Sequence, residues 1–373
     1  MLAQLEPEAL AVAHWYSIFL KGKNMSNEFS TLESVKNYYG KVLKTNADLM
    51  TSACCTAESL PTEVRKIVSE IHPEVNEKFY GCGSPFPPSL QGRTVLDLGC
   101  GAGRDVYILS KLVGEHGQVI GVDMTDEQLA VANRHVEYHR EKFKYKQSNV
   151  KFLKGYIEDL ETAGVKSNSI DLVVSNCVTN LSPNKSRVFS EIFRVLKPGG
   201  ELYFSDVFAS RRIPKNLATD PALLGECLGG ALYKEDFRRL LAKIGCNDFR
   251  VISSSPISLN NPEITKKIGM IEFTSITFRA FKLELEDRCE DFGQVAYYLG
   301  TVPDHPHSFM LDDHHLFQTG KPMLVCGNTS DMISKTWYKD HFKVVGEKSS
   351  HMGLFDCGPA PVASSPAGAG ACC

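Results

Sequence analysis

The chain has 373 residues, 43% of them hydrophobic and 23% charged, with a formal net charge of -3. Such a composition describes a folded chain with room for two or three core-bearing units, and the near-neutral charge gives no electrostatic reason to expect a nucleic-acid or membrane-surface partner. No apolar run is long enough to span a bilayer, and Glu6 and Glu8 precede the short apolar patch Ala11 to Leu20, unlike a secretory signal, so a cytoplasmic location is expected. The 12 cysteines then point to reduced thiols, available for ligation or redox work, rather than to a disulfide scaffold.

Residues 1–30 lack strong periodicity and read as a leader. Ser34 to Leu49 is a predicted helix, with Val35, Tyr38, Tyr39, Val42 and Leu43 on one face. After the pair Cys54-Cys55, Pro61 and Thr62 cap a second helix that runs to about Ile71. The Gly- and Pro-punctuated loop Phe79 to Pro88 delivers the chain to an apolar strand at Thr94.

Thr94 to Asp105 is the stretch around which the rest is organised. Val95, Leu96 and Leu98 suit a strand covered on both faces, and Gly99, Gly101 and Gly103 allow a sharp turn and close approach to a ligand. A helix from about Arg104 to Val113 should follow. The strand Val119 to Asp123 ends in an acid twenty positions after Gly103, where a carboxylate can take the ribose hydroxyls of an adenosine. A dinucleotide loop would place glycine where Arg104 stands, and Asp97 would repel a diphosphate while suiting an amino group. Both features favour S-adenosyl-L-methionine over NAD.

Further strands are predicted at Ile170 to Ser175 and Glu201 to Ser205, joined by an amphipathic helix over Val188 to Leu196 and the turn Lys197-Pro-Gly-Gly200. This order resembles the class I S-adenosylmethionine-dependent methyltransferases, and implies an α/β fold with a doubly wound sheet and ligands outside the carboxyl ends of its strands. Arg211 to about Leu232 interrupts the pattern as an insertion over that edge. A helix at Lys234 to Ile244 and β-rich segments at Phe249 to Leu259 and Met270 to Phe281 are placed to complete the sheet. The expected division is a leader at 1–30, a cofactor-binding core at 31–208, a substrate-binding segment at 209–285 and a small C-terminal domain at 286–373, ending in a flexible Ala-, Pro-, Gly- and Ser-rich tail with Cys372 and Cys373.

The cysteines carry the question of substrate. Cys177 lies in Ser175-Asn-Cys-Val-Thr-Asn180 at the end of the strand that faces the transferable methyl group, where amine-modifying relatives would need prolines that this chain lacks. Cys82 stands between two glycines, and Cys227 lies in the glycine-bracketed insertion, so both segments can fold over the end of that strand. Three converging thiols would suit a soft, thiophilic centre, whereas structural zinc wants a fourth ligand; small buried packing residues are the competing reading. Cys100, Cys246, Cys289 and Cys326 read as packing, and a metal at His305, His307 and Asp312 to His315 is not expected.

Tyr80-Gly-Cys-Gly83, Asp97-Leu-Gly-x-Gly-x-Gly-Arg-Asp105, Gly121-Val-Asp-Met-Thr125, Gly155-Tyr-Ile-Glu158, Ser175-Asn-Cys-Val178, Gly200 to Val207 and Gly225 to Leu232 together resemble the arsenite S-adenosylmethionine methyltransferases. The resemblance implies that Cys82, Cys177 and Cys227 bind As(III) delivered as a thiol complex. It further implies that an upstream cysteine, Cys54 or its neighbour Cys55, exchanges a disulfide with Cys82, and that thioredoxin or glutathione resets the pair. For the cofactor it implies Asp97, Gly99 and Gly101 at the methionine end, Asp123 at the ribose, Met124, Gly155, Ile157 and Glu158 around the adenine, Asn176 and Val178 beside Cys177, and Tyr80 near the sulfonium. Two other readings stay open: a methyltransferase for a small organic substrate, and a non-enzymatic thiol-metalloid binder.

Overall fold

A computed structural model describes residues 28, 30–43 and 60–357. Its centre is an eight-stranded sheet. β1 (Thr94–Leu98), β2 (Gln118–Asp123), β3 (Val150–Lys154), β4 (Ile170–Asn176) and β5 (Leu196–Ala209) are parallel neighbours in the order β3-β2-β1-β4-β5. The parallel pairing follows from the helices between strands, since a parallel return needs a crossover. The short β6 (Leu232–Tyr233) pairs with the end of β5. β7 (Phe249–Pro256) and β8 (Phe273–Phe281) then finish the edge, β8 antiparallel to both β5 and β7, so the sheet is mixed.

Most local expectations hold with shifted ends. Val95, Leu96 and Leu98 have no exposed surface, and the helix after the glycine turn spans Arg104–Val113. The first predicted helix turns at Tyr38–Val42 into a π-helix, and its continuation past Leu43 lies outside the described residues. The second covers Thr62–Val68, and Pro73–Glu77 adds a short helix capped by His72. β3 has no counterpart among the expected strands because it is an edge: its exposed Lys151 and Lys154 break the apolar run that marks the buried strands. The insertion holds the helices Lys215–Ala218 and Pro221–Gly225.

Beyond Leu285 the chain is more regular than its sequence suggests. It forms β9 (Glu290–Asp291), β10 (Gln294–Tyr298), β11 (Ser308–Met310), β12 (Leu316–Gln318), β13 (Pro322–Val325), β14 (Phe342–Val345) and β15 (Gly353–Leu354), with a helix at Gly327–Ser334. β13-β10-β14 make an antiparallel sheet. Tyr298, Phe309, Phe317 and Tyr338 share one core with Val95, Leu109, Leu172 and Phe281, so this unit covers one face of the central sheet. At the seam Arg279 Nε donates to Glu201 Oε1 at 2.7 Å, Nη1 to the Leu311 carbonyl at 2.6 Å and Nη2 to the Tyr338 hydroxyl at 2.8 Å. All three side chains are essentially buried. Asp312 is likewise buried, accepting from the backbone N–H groups of His314 and His315 and pairing with Arg250 at 3.2 Å, so this His-rich segment is held as a turn. Among the described residues no helix is long and apolar enough to cross a membrane.

Candidate active site

A cleft of about 940 Å³, including its open mouth, lies over the carboxyl ends of β1, β2 and β4, within the size range of small-molecule sites. Every residue assigned to the cofactor lines it: Tyr80, Asp97, Gly99, Gly101, Asp123, Met124, Gly155, Ile157, Glu158, Asn176 and Val178. Gly99, Gly101 and Gly103 have φ of 65°, 52° and 89°, left-handed values that cost other residues about 1–2 kcal/mol. A side chain at Gly99 would also meet Val178 Cγ1 at 2.4 Å. The loop therefore stays open where a ligand would pass.

Three acids share the cleft. Burial raises the carboxyls of Asp97, Asp105 and Asp123 above the usual range; the neighbouring acids push Asp97 further up, while Arg104 draws Asp105 down and the N–H groups of Thr125 and Gly101 draw Asp123 down. Asp123 accepts from Gly101 N at 2.9 Å and Thr125 N at 2.8 Å. Among the described residues, Asp105 Oδ1 and Gln128 Oε1 are buried acceptors with no hydrogen-bond partner, and both residues line the cleft. A site rich in acceptors and acids fits a cationic cofactor bearing an ammonium, ribose hydroxyls and an amine. The sequence gives no role to Asp105 or Gln128, although Asp105 lies within the glycine motif, and it marks Arg104 only as the residue that replaces a dinucleotide-loop glycine.

The three candidate thiols come together from distant segments. Cys82 and Cys177 lie 5.7 Å apart between Cα atoms, with their sulfurs joined in a disulfide, and the Cys227 thiol donates to the Cys177 carbonyl at 3.1 Å. All three are buried in one cluster. The bridge differs from the expected free thiols and from the implied pairing of Cys82 with an upstream cysteine. Its physical basis is the approach that a shared thiol ligand also requires. Cys54 and Cys55 lie outside the described residues, as do Cys372 and Cys373. Cys177 and Cys227 both have left-handed backbones, φ 58° and 61°, a strain of order 1–3 kcal/mol at non-glycine positions that recurs at functional sites.

Asn176 organises this cluster more than it offers itself to a cofactor. Its Oδ1 accepts from Cys82 N at 2.9 Å and Gly83 N at 3.1 Å; its Nδ2 donates to the Gly83 carbonyl and to Asp105 Oδ2, both at 2.9 Å. The Ser275 hydroxyl donates to the Cys82 carbonyl at 2.9 Å, and a Cβ on Gly83 would meet Ser205 Oγ at 2.4 Å, so only glycine lets the loop press onto β5. Tyr39 donates to the Gly225 carbonyl at 2.8 Å and stands 4.0 Å from Cys227 Sγ, with its ring edge-on to Tyr80. Asp206, missed by the sequence reading, has an oxygen within 4.8 Å of the Cys82 and Cys177 sulfurs. Burial pushes its carboxyl up to about 6 against hydrogen bonds from Thr179, Val207 and Asn180.

Residues 89–245 match the methyltransferase domain family. An arsenite methyltransferase of Aquipseudomonas alcaligenes is 52% identical over 87% of this chain and 94% of its own length. The human arsenite methyltransferase is 42% identical over 85% of this chain and 84% of its own. The crystal structure of an arsenic(III) S-adenosylmethionine methyltransferase from Chlamydomonas reinhardtii is 50% identical, covers 80% of this chain and 100% of its own, and superposes with a TM-score of 0.78. With the glycine-turn cleft, the class I Rossmann-like sheet and a relative of this identity along most of its length, the chain belongs to the arsenite methyltransferase family.

Proposed function

We infer that this protein transfers methyl groups from S-adenosyl-L-methionine to trivalent arsenic held by the thiols of Cys82, Cys177 and Cys227. Membership of the family carries the S-adenosylmethionine-dependent methylation of arsenite. The observation that supports the thiol-bound form is the convergence of three buried cysteines from separate segments, two of them in left-handed backbone, against a cleft lined by Cys177 itself. A packing cysteine needs neither the convergence nor the strain. On this reading, residues 31–208 form the cofactor core, 209–285 the arsenic-binding segment and 286–373 a C-terminal domain.

Asp97, Gly99 and Gly101 would hold the methionine end, Asp123 the ribose, and Met124, Gly155, Ile157 and Glu158 the adenine side, with Tyr80 and Val178 near the reacting end. When bound, the cofactor supplies a methyl group on a positively charged sulfur. The protein's part is to hold the nucleophile. Arsenite exchanges three hydroxyls for three thiolates; three As–O bonds break, three As–S bonds form, and the thiol protons leave with the hydroxyls as three waters. Arsenic keeps its lone pair, which needs no general base because it carries no proton. Orienting that lone pair toward the cofactor can supply about 7–11 kcal/mol of the barrier in the best cases. Asn176 and Ser275 fix the Cys82 loop, and Tyr39 and Asn180 border Cys227.

Binding requires reduced sulfurs, so a thiol reductant, glutathione or thioredoxin, opens the Cys82–Cys177 bridge by thiol–disulfide exchange. By family resemblance Cys54 or its neighbour Cys55 would exchange with Cys82, and a cytoplasmic setting would keep these thiols reduced. X-ray absorption on the reduced protein loaded with arsenite tests the ligand set. Three sulfur neighbours around arsenic, falling to two in Cys227→Ser, are expected; an unchanged coordination shell when all three cysteines are serine would overturn it.

A further inference from the structure

The C-terminal unit gathers three more cysteines that the sequence leaves scattered. Cys289 immediately precedes β9, Cys357 lies just beyond β15, and β9 pairs with β15, with Phe355 N donating to the Cys289 carbonyl at 2.8 Å. Cys326 caps the helix Gly327–Ser334. Glu286 N donates to Asn328 Oδ1 at 2.9 Å and Asn328 Nδ2 donates to the Glu286 carbonyl at 2.8 Å, which lays the segment carrying Cys289 along the start of that helix, and the Cys289 thiol interacts with those of both Cys326 and Cys357. The tight three-ligand groups among the described residues do not include this trio, and the arrangement is an open row of adjacent pairs.

We propose that Cys289 and Cys326 form a second arsenical site, taking a monosubstituted trivalent arsenical across two adjacent sulfurs, with Cys357 as the exposed thiol through which it enters. The surroundings of Cys326 favour a thiolate: Thr329 N–H donates to its sulfur at 3.4 Å, the Thr329 hydroxyl lies at 3.3 Å, and Arg250 Nη2 approaches to 3.9 Å. Ion pairs to Asp248 at 2.7 Å and Asp312 at 3.2 Å hold that guanidinium in place. The neighbouring Cys289 thiol, together with Thr329 and Arg250, keeps the Cys326 thiol below its usual range, as expected for cysteines at helix N-termini and beside arginine. Exposure grades along the row, from buried Cys326 through half-buried Cys289 to exposed Cys357, which gives the ligand a path inward.

The number of sulfurs sets the ligand class. An arsenical with one carbon substituent has two exchangeable positions; two As–O bonds break, two As–S bonds form, and the thiol protons leave in water while arsenic stays trivalent. Neither oxidant nor reductant is consumed. If the activity above holds, the singly methylated trivalent arsenical is the ligand of this class, but the binding claim does not rest on that activity.

The test uses phenylarsine oxide on the full-length, fully reduced chain carrying Cys82→Ser, Cys177→Ser and Cys227→Ser, which removes the candidate catalytic site. Arsenic retained after gel filtration is compared with that in the same chain bearing Cys289→Ser and Cys326→Ser in addition. A loss of one equivalent is expected; equal retention overturns the proposal. Independently of how the added variants fold, peptide mass spectrometry of the loaded chain without them should find one phenylarsenic bridging the Cys289 and Cys326 peptides. A bridge mapping only to other cysteines overturns it.

Discussion

Replacing Asn176 by alanine separates arsenic binding from cofactor binding. The amide makes four hydrogen bonds, three of them to the backbone of Cys82 and Gly83. Without it, the glycine-flanked Cys82 loop must be ordered again when arsenic binds. Fixing one residue costs about 1–2 kcal/mol, so two residues, part of that order being kept by Ser275, give roughly 2–3 kcal/mol, or about 30- to 140-fold weaker binding at 1.4 kcal/mol per decade. Calorimetric titration of the reduced protein with arsenite reads this directly. A parallel titration with S-adenosyl-L-methionine should change by less than about tenfold, since Asn176 loses only its bond to Asp105 on the cofactor side. Unchanged arsenite affinity, or equal loss of both ligands, refutes the assignment of Asn176 as the residue that positions Cys82.

Three other outcomes follow from buried charge. Burial raises Asp97, Asp105 and Asp123, so binding of the cationic cofactor should ionise them, release protons and tighten as pH rises through their range; calorimetry in buffers of different ionisation enthalpy measures the protons, and none released contradicts it. Asp206 is pushed up to about 6 from 3.8; a raised carboxyl contributes stability below its unfolded value that is lost as pH rises through the folded one. Denaturation of wild type and Asp206→Asn should therefore show the wild type losing on the order of 3 kcal/mol relative to the variant between pH 4 and pH 7, and a pH-independent difference would contradict this. Glu201→Ala strands the buried Arg279 charge and should cost about 3–5 kcal/mol in urea unfolding, with much of that recovered by Arg279→Met in the same chain; equal loss in single and double variants would show the pair to be uncoupled.

The parts of this fold that reading residues in order exposes are those whose physics is local. The glycine turn, the acids Asp97 and Asp123 at strand ends and the helix Arg104–Val113 each declare themselves within a dozen positions. β3 escapes because an edge strand with exposed lysines has no apolar run. Asn176 is visible beside Cys177, but its role depends on partners 93 and 94 positions away. The same holds for Arg279 with Glu201 and Tyr338, and for Cys289 and Cys326, which look like isolated packing residues, and Cys357, which looks like part of the tail, until the fold brings their segments together. The flexible neighbours of Cys82 and Cys227 point to their convergence on the strand end that holds Cys177; the disulfide between Cys82 and Cys177 is not legible in this way, because sulfur pairing is set by tertiary approach.

The most direct test of the central claim is single-turnover methylation of thiol-complexed As(III), with S-adenosyl-L-methionine in excess, on the reduced wild type and on Cys82→Ser, Cys177→Ser and Cys227→Ser. The account predicts methyl transfer by the wild type and its loss in Cys177→Ser and Cys227→Ser, with cofactor affinity unchanged. Undiminished transfer in all three variants would contradict it and make these cysteines packing residues.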